Sequence, residues 1–597
     1  MATITEDRLA EIRQRLNSGD YLTAYDEAAA VLEAGDEHPA LIHLAVLSLA
    51  RSGATDQAIA LLSRYRTHLP DDEEIGALEA RLFKDQYFAC PDEAKKITLG
   101  KRARDAYLRV FENTRGYFSG INAATLSCLI GDVKNSHRLA SEVYGICQTN
   151  PSDDYWHLAT MAECCLVLER DAEAQSFLKT ACEAETVNPA SLSTTFRQLR
   201  LICEARGIGT ELIASIRPPA VIHYTGHMIH GIGRAPGMDS ADEPMLRQQV
   251  AAALEAEQVG FAYGSLACGA DLIVAEQILQ RGAELHVILP FSTEDFRHIS
   301  VSPGGTAWEM RYDHVLDQAT SVVHLVQDVG DGADFLFHTV TLQAIGRALL
   351  KAGTLGSKVM QIALWNGLQS SSSSGTAADI RLWKNFGLES MVITVPAPRS
   401  AAVTPASAAG NGNNRPEIAV KRRLMSMIFA DVKGYSKLSE YQIAFFVPRW
   451  LNRLASLITA HTPHVIHTET WGDAIYLVLD SVSAAADAAI GLSGLFQDTA
   501  WHDLGLPHGI GVRVSAHVGP VFVADNPVLG KKAYFGPDVT RTARMEPCTP
   551  VGSVYVTEAF AAALAVESAA GFRCEYAGNQ PLAKEYGSFP MYQLRRR

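Results

Sequence analysis

Residues 397–417 read APRSAAVTPASAAGNGNNRPE. The stretch is poor in bulky apolar residues and rich in Ala, Pro, Ser, Gly and Asn, so it cannot contribute to a core and reads as a linker over 397–420. A chain of 597 residues is too long for one core and should divide into about three to five domains. The period of the apolar residues changes again near residue 217. Four regions result: helices over 1–215, an alternating strand-and-helix region over 217–396, the linker, and a last domain over 421–597. The predicted architecture is a multidomain protein with an all-α helical repeat, an α/β parallel sheet and an α+β C-terminal domain.

Within 1–215, RLNSGDYLTAYDEAAAVL and LARSGATDQAIALLSRY superpose with a shift of 34 residues, placing Gly19 on Gly53 and Ala24 on Ala58. Glycine closes one helix and the small residue lets the next pack closely. This is the spacing of tetratricopeptide repeats, and LIGDVKNSHRLA and LERDAEAQSFL continue it more loosely. GYFSGINAATLSCLIGD also resembles the helical TRAFs-binding region found in some kinases. Both resemblances imply a solenoid that takes a peptide or protein partner.

Over 217–396, the short β-branched runs VIHYTGH, GFAYGSL, ELHVILPF, TSVVHLV and KVMQIALW alternate with helical patterns, which predicts a doubly wound, Rossmann-like parallel sheet. Ligands of such sheets sit at the carboxyl ends of strands. There GSLACGAD opens a helix, and its glycines would admit a ligand to the backbone. Together with Glu276 and LHVILPF, this stretch resembles the SLOG superfamily of nucleotide-sensing domains. The resemblance implies a small nucleotide held by Gly264, Ser265, Gly269, Asp271 and Glu276. His223, His227 and His230 read as structural histidines, since a strand followed by a turn would not aim all three inward and no carboxylate or cysteine completes a set. SSSSSGTAAD, 370–379, reads as a loop.

The C-terminal domain carries the chemistry. MSMIFADVKGYSKLSE delivers Asp431 from a strand to a glycine turn. HTETWGDAIYLVL, mostly strand-like and apolar, contains Glu469 and Asp473. Buried carboxylates need partners, and two on neighbouring strand ends can share two Mg²⁺ or Mn²⁺ ions about 3.5–4 Å apart. VRVSAHVGPVFVAD reads as a strand pair turning at Gly519. YFGPDVTRTARMEP is a glycine turn into a helix that puts Thr540 and Arg544 on one face.

These motifs, in this order and with PLAKEYGSFPMYQL at the end, resemble the class III nucleotidyl cyclases. The resemblance implies a ferredoxin-like domain acting as a head-to-tail homodimer on a nucleoside triphosphate. Asp431, Asp473 and the Val432 carbonyl would hold two metal ions. Arg544 would stabilise the α-phosphate, Thr540 would stand where the family has Asn, and Lys584 would grip the terminal phosphates. One metal would lower the pKa of the 3′-hydroxyl and the other would hold the triphosphate. The purine-reading positions, Lys with Asp for adenine and Glu with Cys for guanine in the family, correspond to Glu469 and Ala533. Adenine loses both contacts and guanine keeps one. With the bulky Trp471, the altered corner also resembles the pyrimidine cyclases of bacterial antiviral signalling, which make cyclic UMP or cyclic CMP. Guanylate cyclase is the nearest alternative, and an inactive nucleotide-binding scaffold is the rival from another class.

A net charge of -14 argues against a general nucleic-acid binder. The ten cysteines form no C-x-x-C pair, and no apolar run reaches membrane-spanning length. A cytoplasmic protein with no membrane partner is expected.

Overall fold

The computed structural model describes residues 5–597 apart from 18–20, 52–53, 70–72, 91, 185–188, 230–236, 329–332, 370–373, 389, 398–420, 498–500, 502–504, 508–509 and 568–570. Gly19, Gly53, His230 and nearly all of the linker lie outside the described residues. Among those described, no helix is long and apolar enough to cross a membrane.

Helices run from Glu6–Asn17 to Pro189–Arg206. The 34-residue shift carries helix Tyr21–Glu33 onto helix Thr55–Tyr65, and Ala24 and Ala58 are both fully buried at equivalent positions. Neither position has room for a larger side chain without moving a neighbouring helix. Helix Pro189–Arg206 departs from simple stacking. It lies across both Tyr117–Leu129 and Tyr155–Val167 and buries Phe196, Leu199 and Ile202.

Six strands follow: β1 (Ala220–Gly226), β2 (Val259–Gly264), β3 (Glu284–Leu289), β4 (Ser321–His324), β5 (Val359–Trp365) and β6 (Ser390–Thr394). They form an all-parallel sheet in the order β4-β3-β2-β1-β5-β6. The order reverses between β1 and β5, which is where a crevice opens at the carboxyl ends of such sheets. Thr376–Ala378 and Asp379, read as loop from their polar surroundings, instead open helix Thr376–Lys384, because Ala377, Ile380 and Trp383 supply a buried face at helical spacing.

The last sheet contains β7 (Lys421–Lys433), β8 (Val465–Trp471), β9 (Ala474–Leu479), β10 (Gly511–Asn526), β11 (Lys531–Phe535), β12 (Val554–Thr557), β13 (Phe572–Pro581) and β14 (Ser588–Arg596). Its order is β13-β14-β12-β10-β7-β9-β8, with β11 paired to β10. The segment β7–helix–β8–β9–helix–β10 takes the spatial order fourth-first-third-second, the split βαββαβ arrangement of ferredoxin-like folds. One face of this sheet is covered by helices Glu440–Ala460, Val482–Gln497 and Glu558–Val566 over Val512, Val514, Ala516 and Val518. Arg513, Ser515 and His517 alternate to the opposite face.

Two strand readings change. β10 does not turn at Gly519: its register against β7 runs unbroken from Gly511↔Lys433 to Val523↔Lys421. Gly519 is needed for space, since a Cβ there would stand 2.6 Å from the Asp538 carboxyl group. HTETWGDAIYLVL is a hairpin rather than one buried strand. β8 and β9 fold back through Gly472 and Asp473, with Gly472 at φ 70°, where a side chain would be strained.

One helix of the middle region, Ala333–Leu355, touches all three parts. Val340, Ala344 and Ala348 pack on the parallel sheet, and the Leu355 carbonyl accepts a 2.9 Å hydrogen bond from Ser193 of the helical region. On its outer side, a Cβ on Gly346 would overlap the carbonyl of Ala562 in helix Glu558–Val566. Arg347 pairs with Glu558, and Gln343 donates to the Ala559 carbonyl at 3.0 Å.

Candidate active site

The site is built at the end of β7 and the start of β9. Asp431 lies opposite Arg513 in the β7–β10 register, and β9 flanks β7 on the other side. Asp473, in the β8–β9 turn, is thereby brought beside Asp431. The hairpin is pinned from behind: Trp450 of helix Glu440–Ala460, itself fully buried, donates its indole N–H to the Asp473 carbonyl at 2.9 Å.

The Asp473 carboxyl is pushed up to about 7. Burial is the main cause, followed by a hydrogen bond with Asp431 and that group's negative charge; the backbone N–H groups of Asp473 and Val432 oppose the shift. Two residues missed in the sequence complete the cluster. Arg513 approaches Asp431 at 3.3 Å and Glu546 at 2.7 Å, the latter as a charge–charge contact rather than an aligned hydrogen bond. Glu546 is buried and pushed up to about 7 chiefly by desolvation, with Arg513 pulling the other way and Asp431 and Asp473 adding to the rise. The detectable signal for Arg513 was the strict alternation in VRVSAHV, which sets Arg, Ser and His together on the face opposite the apolar residues.

Among the described residues, no group of three or more His, Cys, Asp or Glu side chains is arranged to hold a metal ion. The donors nevertheless fit a hard cation. Asp431 is close enough to Asp473 to suppress that group's ionisation, the strain a divalent ion relieves, and the Val432 carbonyl belongs to the same strand end as Asp431. Such ions accept oxygen donors and complete their shells with water and phosphate.

Thr540 and Arg544 lie on helix Pro537–Met545, packed against β10 through the Ser515 hydroxyl, which donates to the Thr542 carbonyl at 2.9 Å. Thr540 is exposed, with its hydroxyl 3.5 Å from the Gly536 carbonyl. Lys584 sits in an exposed turn where it and Glu585 both have positive φ, 60° and 55°. Consecutive non-glycine residues in that region are costly and concentrate at functional sites. The Ala583 N–H donates to the Arg544 carbonyl at 3.2 Å, so this turn is fastened to the last turn of the Arg544 helix. Arg544, Thr540 and Lys584 are therefore brought together.

Glu469 and Ala533 meet at another corner, where β11 lies along β8. Tyr534 packs its ring 5.2 Å from that of His467. Glu469 is not a free acceptor: its Oε1 stands 3.3 Å from His467 Nε2 and 3.4 Å from Lys531 Nζ. Trp471 is exposed at the end of β8.

In the middle region the predicted ligand residues are partly committed to the protein itself. A Cβ on Gly264 would strike the Tyr224 ring, and one on Gly269 would meet the backbone of 227–229. Both glycines leave room for the neighbouring chain. Glu276 is held by Arg247 and, at 2.7 and 2.9 Å, by Arg311, so it is occupied as an ion-pair partner. Asp271 accepts from the Ala267 N–H at 3.2 Å and burial pushes it up to about 7; the Ser265 carbonyl accepts from the Tyr224 hydroxyl at 2.8 Å. His223 is buried beside Gln361, stacked on Trp383, and driven down to about 3 by desolvation.

Residues 420–595 match the family described as the adenylate and guanylate cyclase catalytic domain, and residues 20–127 match the family described as Tetratricopeptide Repeats-Sensor. No curated protein matches the chain. Among solved structures, the chain is similar to the adenylyl cyclase CyaB from P. aeruginosa, with 14% identity over 30% of this chain and 96% of that one, TM-score 0.26. It is also similar to the guanylate cyclase domain of RhGC from Catenaria anguillulae, with 17% identity over 30% and 99%, TM-score 0.26. A third, an adenylate cyclase from Trypanosoma brucei, is 21% identical over 29% and 87%, TM-score 0.26. The match over 420–595, together with its ordered motifs, makes this part of the chain a class III nucleotide cyclase catalytic domain, with a tetratricopeptide-type helical region ahead of it.

Proposed function

We propose that the enzyme converts a pyrimidine nucleoside triphosphate, UTP or CTP, into its 3′,5′-cyclic nucleotide and pyrophosphate. The observation that carries the base preference is the state of Glu469. One of its carboxylate oxygens is already engaged by His467 and Lys531, and Ala533 offers no side-chain hydrogen bond. A single free oxygen suits one donor, uracil N3–H or the cytosine amine, better than the paired N1–H and N2–H donors of guanine.

Asp431, Asp473 and the Val432 carbonyl would hold two Mg²⁺ or Mn²⁺ ions, which when bound supply activation of the 3′-hydroxyl and neutralise charge on the triphosphate. Arg513, already poised beside Asp431, would lie next to the phosphates once metal takes over its carboxylate partner. Arg544 would meet charge developing on the α-phosphate, Thr540 would orient the ribose or phosphate, and Lys584 would bind the terminal phosphates. Among the described residues, the side chains of Arg544 and Lys584 have no partner of their own. That supports a head-to-tail homodimer in which they complete a second protomer's carboxylate pair.

The layout supports a sensor controlling a second messenger, with antiviral signalling as its setting. A protein partner would dock on the helical repeats, whose matching family carries the word sensor in its description. A small nucleotide would enter the middle region at the crevice between β1 and β5, near Ser265, Gly269 and Asp271.

The test is incubation of the full chain with ATP, GTP, CTP and UTP together and Mn²⁺, products identified by mass spectrometry, beside an Asp473→Ala control. Cyclic UMP or cyclic CMP that disappears in the control is expected. Cyclic GMP as the main product would restore guanine reading to Glu469, and cyclic AMP would overturn the pyrimidine assignment.

A further inference from the structure

Lys531 changes what the base-reading corner can recognise. It begins β11, two residues before Ala533, so the two side chains share one face of the strand. Its ammonium reaches across to β8, 3.4 Å from Glu469 Oε1 and 3.3 Å from the Thr468 carbonyl. The lysine side chain remains 42% exposed and Glu469 25%, so neither is sealed into the core. An ion pair this open contributes little to stability. Folding therefore places little demand on it.

A corner made of Glu469 and Ala533 alone has acceptors and no donor. With Lys531 it has an ammonium donor beside a carboxylate whose second oxygen, Oε2, is the one not engaged by His467 and Lys531. Lys carries three donors, and two contacts within the protein leave one proton to offer. We infer that Lys531 is a specificity-determining residue that reads an acceptor on the base edge while Glu469 accepts from the donor next to it. Uracil O4 with N3–H, cytosine N3 with its amine, and adenine N1 with its amine each present such an acceptor–donor edge, so the corner's reach across the sheet decides among them. Guanine satisfies the corner only by leaving its N2 amine uncontacted. The neighbouring Lys532 serves as an internal contrast: it alternates to the other side of β11 and pairs with Asp525 at 2.7 Å.

This inference rests on the cyclase site proposed above, so its test uses binding as well as turnover. The full chain and its Lys531→Met, Lys531→Arg and Lys532→Met variants are titrated with the four 3′-deoxynucleoside triphosphates, which bind but cannot cyclise. The expected result is that Lys531→Met lowers the preference for the best nucleotide over the next by about tenfold or more. Lys531→Arg should keep most of it, and Lys532→Met should leave it unchanged. In turnover, the Lys531→Met loss should appear mainly in KM. A selective wild type whose preference survives Lys531→Met, with all four affinities moving together or not at all, overturns the assignment to Lys531 alone. A wild type that binds all four equally overturns both this assignment and the base-reading corner beneath it.

Discussion

Arg513 holds its guanidinium 2.7 Å from the buried carboxylate of Glu546, and the same group reaches Asp431 at 3.3 Å. The pair ties the end of the Arg544 helix to β10, and through Arg513 to Asp431 on the adjoining strand β7. Removing one member of a buried pair is worse than removing both, because the survivor is left unpaired. Arg513→Met should therefore cost about 3–5 kcal/mol in urea denaturation, and the double change Arg513→Met with Glu546→Gln should recover part of that loss. If the single variant matches the wild type in stability, the pair is not structural.

Trp450 fixes the hairpin from the opposite side of the sheet. Trp450→Phe keeps most of the aromatic packing but leaves the Asp473 carbonyl without its indole donor. The expected cost is about 1–3 kcal/mol. The Mg²⁺ concentration for half-maximal activity should rise severalfold, because the turn bearing Asp473 loses its anchor. A metal titration of the purified variant checks this.

Gly346 faces helix Glu558–Val566 with no room for a side chain. Gly346→Val should push the two helices apart and expose the amides of 558–566 to faster hydrogen exchange. Cyclase output should change by about tenfold or more in either direction, since interfaces of this kind rearrange between discrete packings. Unchanged exchange in 558–566 would remove the helix from any route between the regions.

Asp379 is buried and accepts hydrogen bonds from Thr225 at 2.6 Å and Thr341 at 3.0 Å, yet desolvation pushes it up to about 6. Its folded pKa is raised above the unfolded value, so the folded form binds the proton more tightly. Stability is then present at low pH and lost as pH rises from about 4 through about 6. Asp379→Asn should flatten that slope, by up to about 3 kcal/mol between its ends. Thermal melts of both proteins at about pH 4 and about pH 7, on either side of that window, provide the comparison.

How far the sequence could be read depended on whether a residue's reason was local. Asp431 and Asp473 stood out because a carboxylate beside a glycine turn interrupts an apolar strand, a signal contained within a few residues. The 34-residue shift likewise located Ala24 and Ala58, both of which are buried at equivalent places. Gly519 was misread because a glycine within a strand looks like a turn, whereas its cause is Asp538, a neighbour only in space. At Gly264 and Gly269 the need for glycine is likewise set in space, by Tyr224 and the 227–229 backbone on other segments. Lys531 escaped notice because its partner is on β8, and pairing across distant strands leaves no trace in local spacing.

The contacts made by helix Ala333–Leu355 have a consequence for how the polypeptide can be cut. Strand β6 ends at Thr394 and β7 begins at Lys421, and described residues on either side of that connection join the two regions. Gly346 against Ala562, Arg347 with Glu558, Gln343 to Ala559, and Arg422 to the Asp328 carbonyl are all noncovalent. A protease that severs the chain between 397 and 421 would thus leave two fragments that stay docked. Supplied as separate polypeptides, the two pieces have the matching surfaces to reassemble into one enzyme.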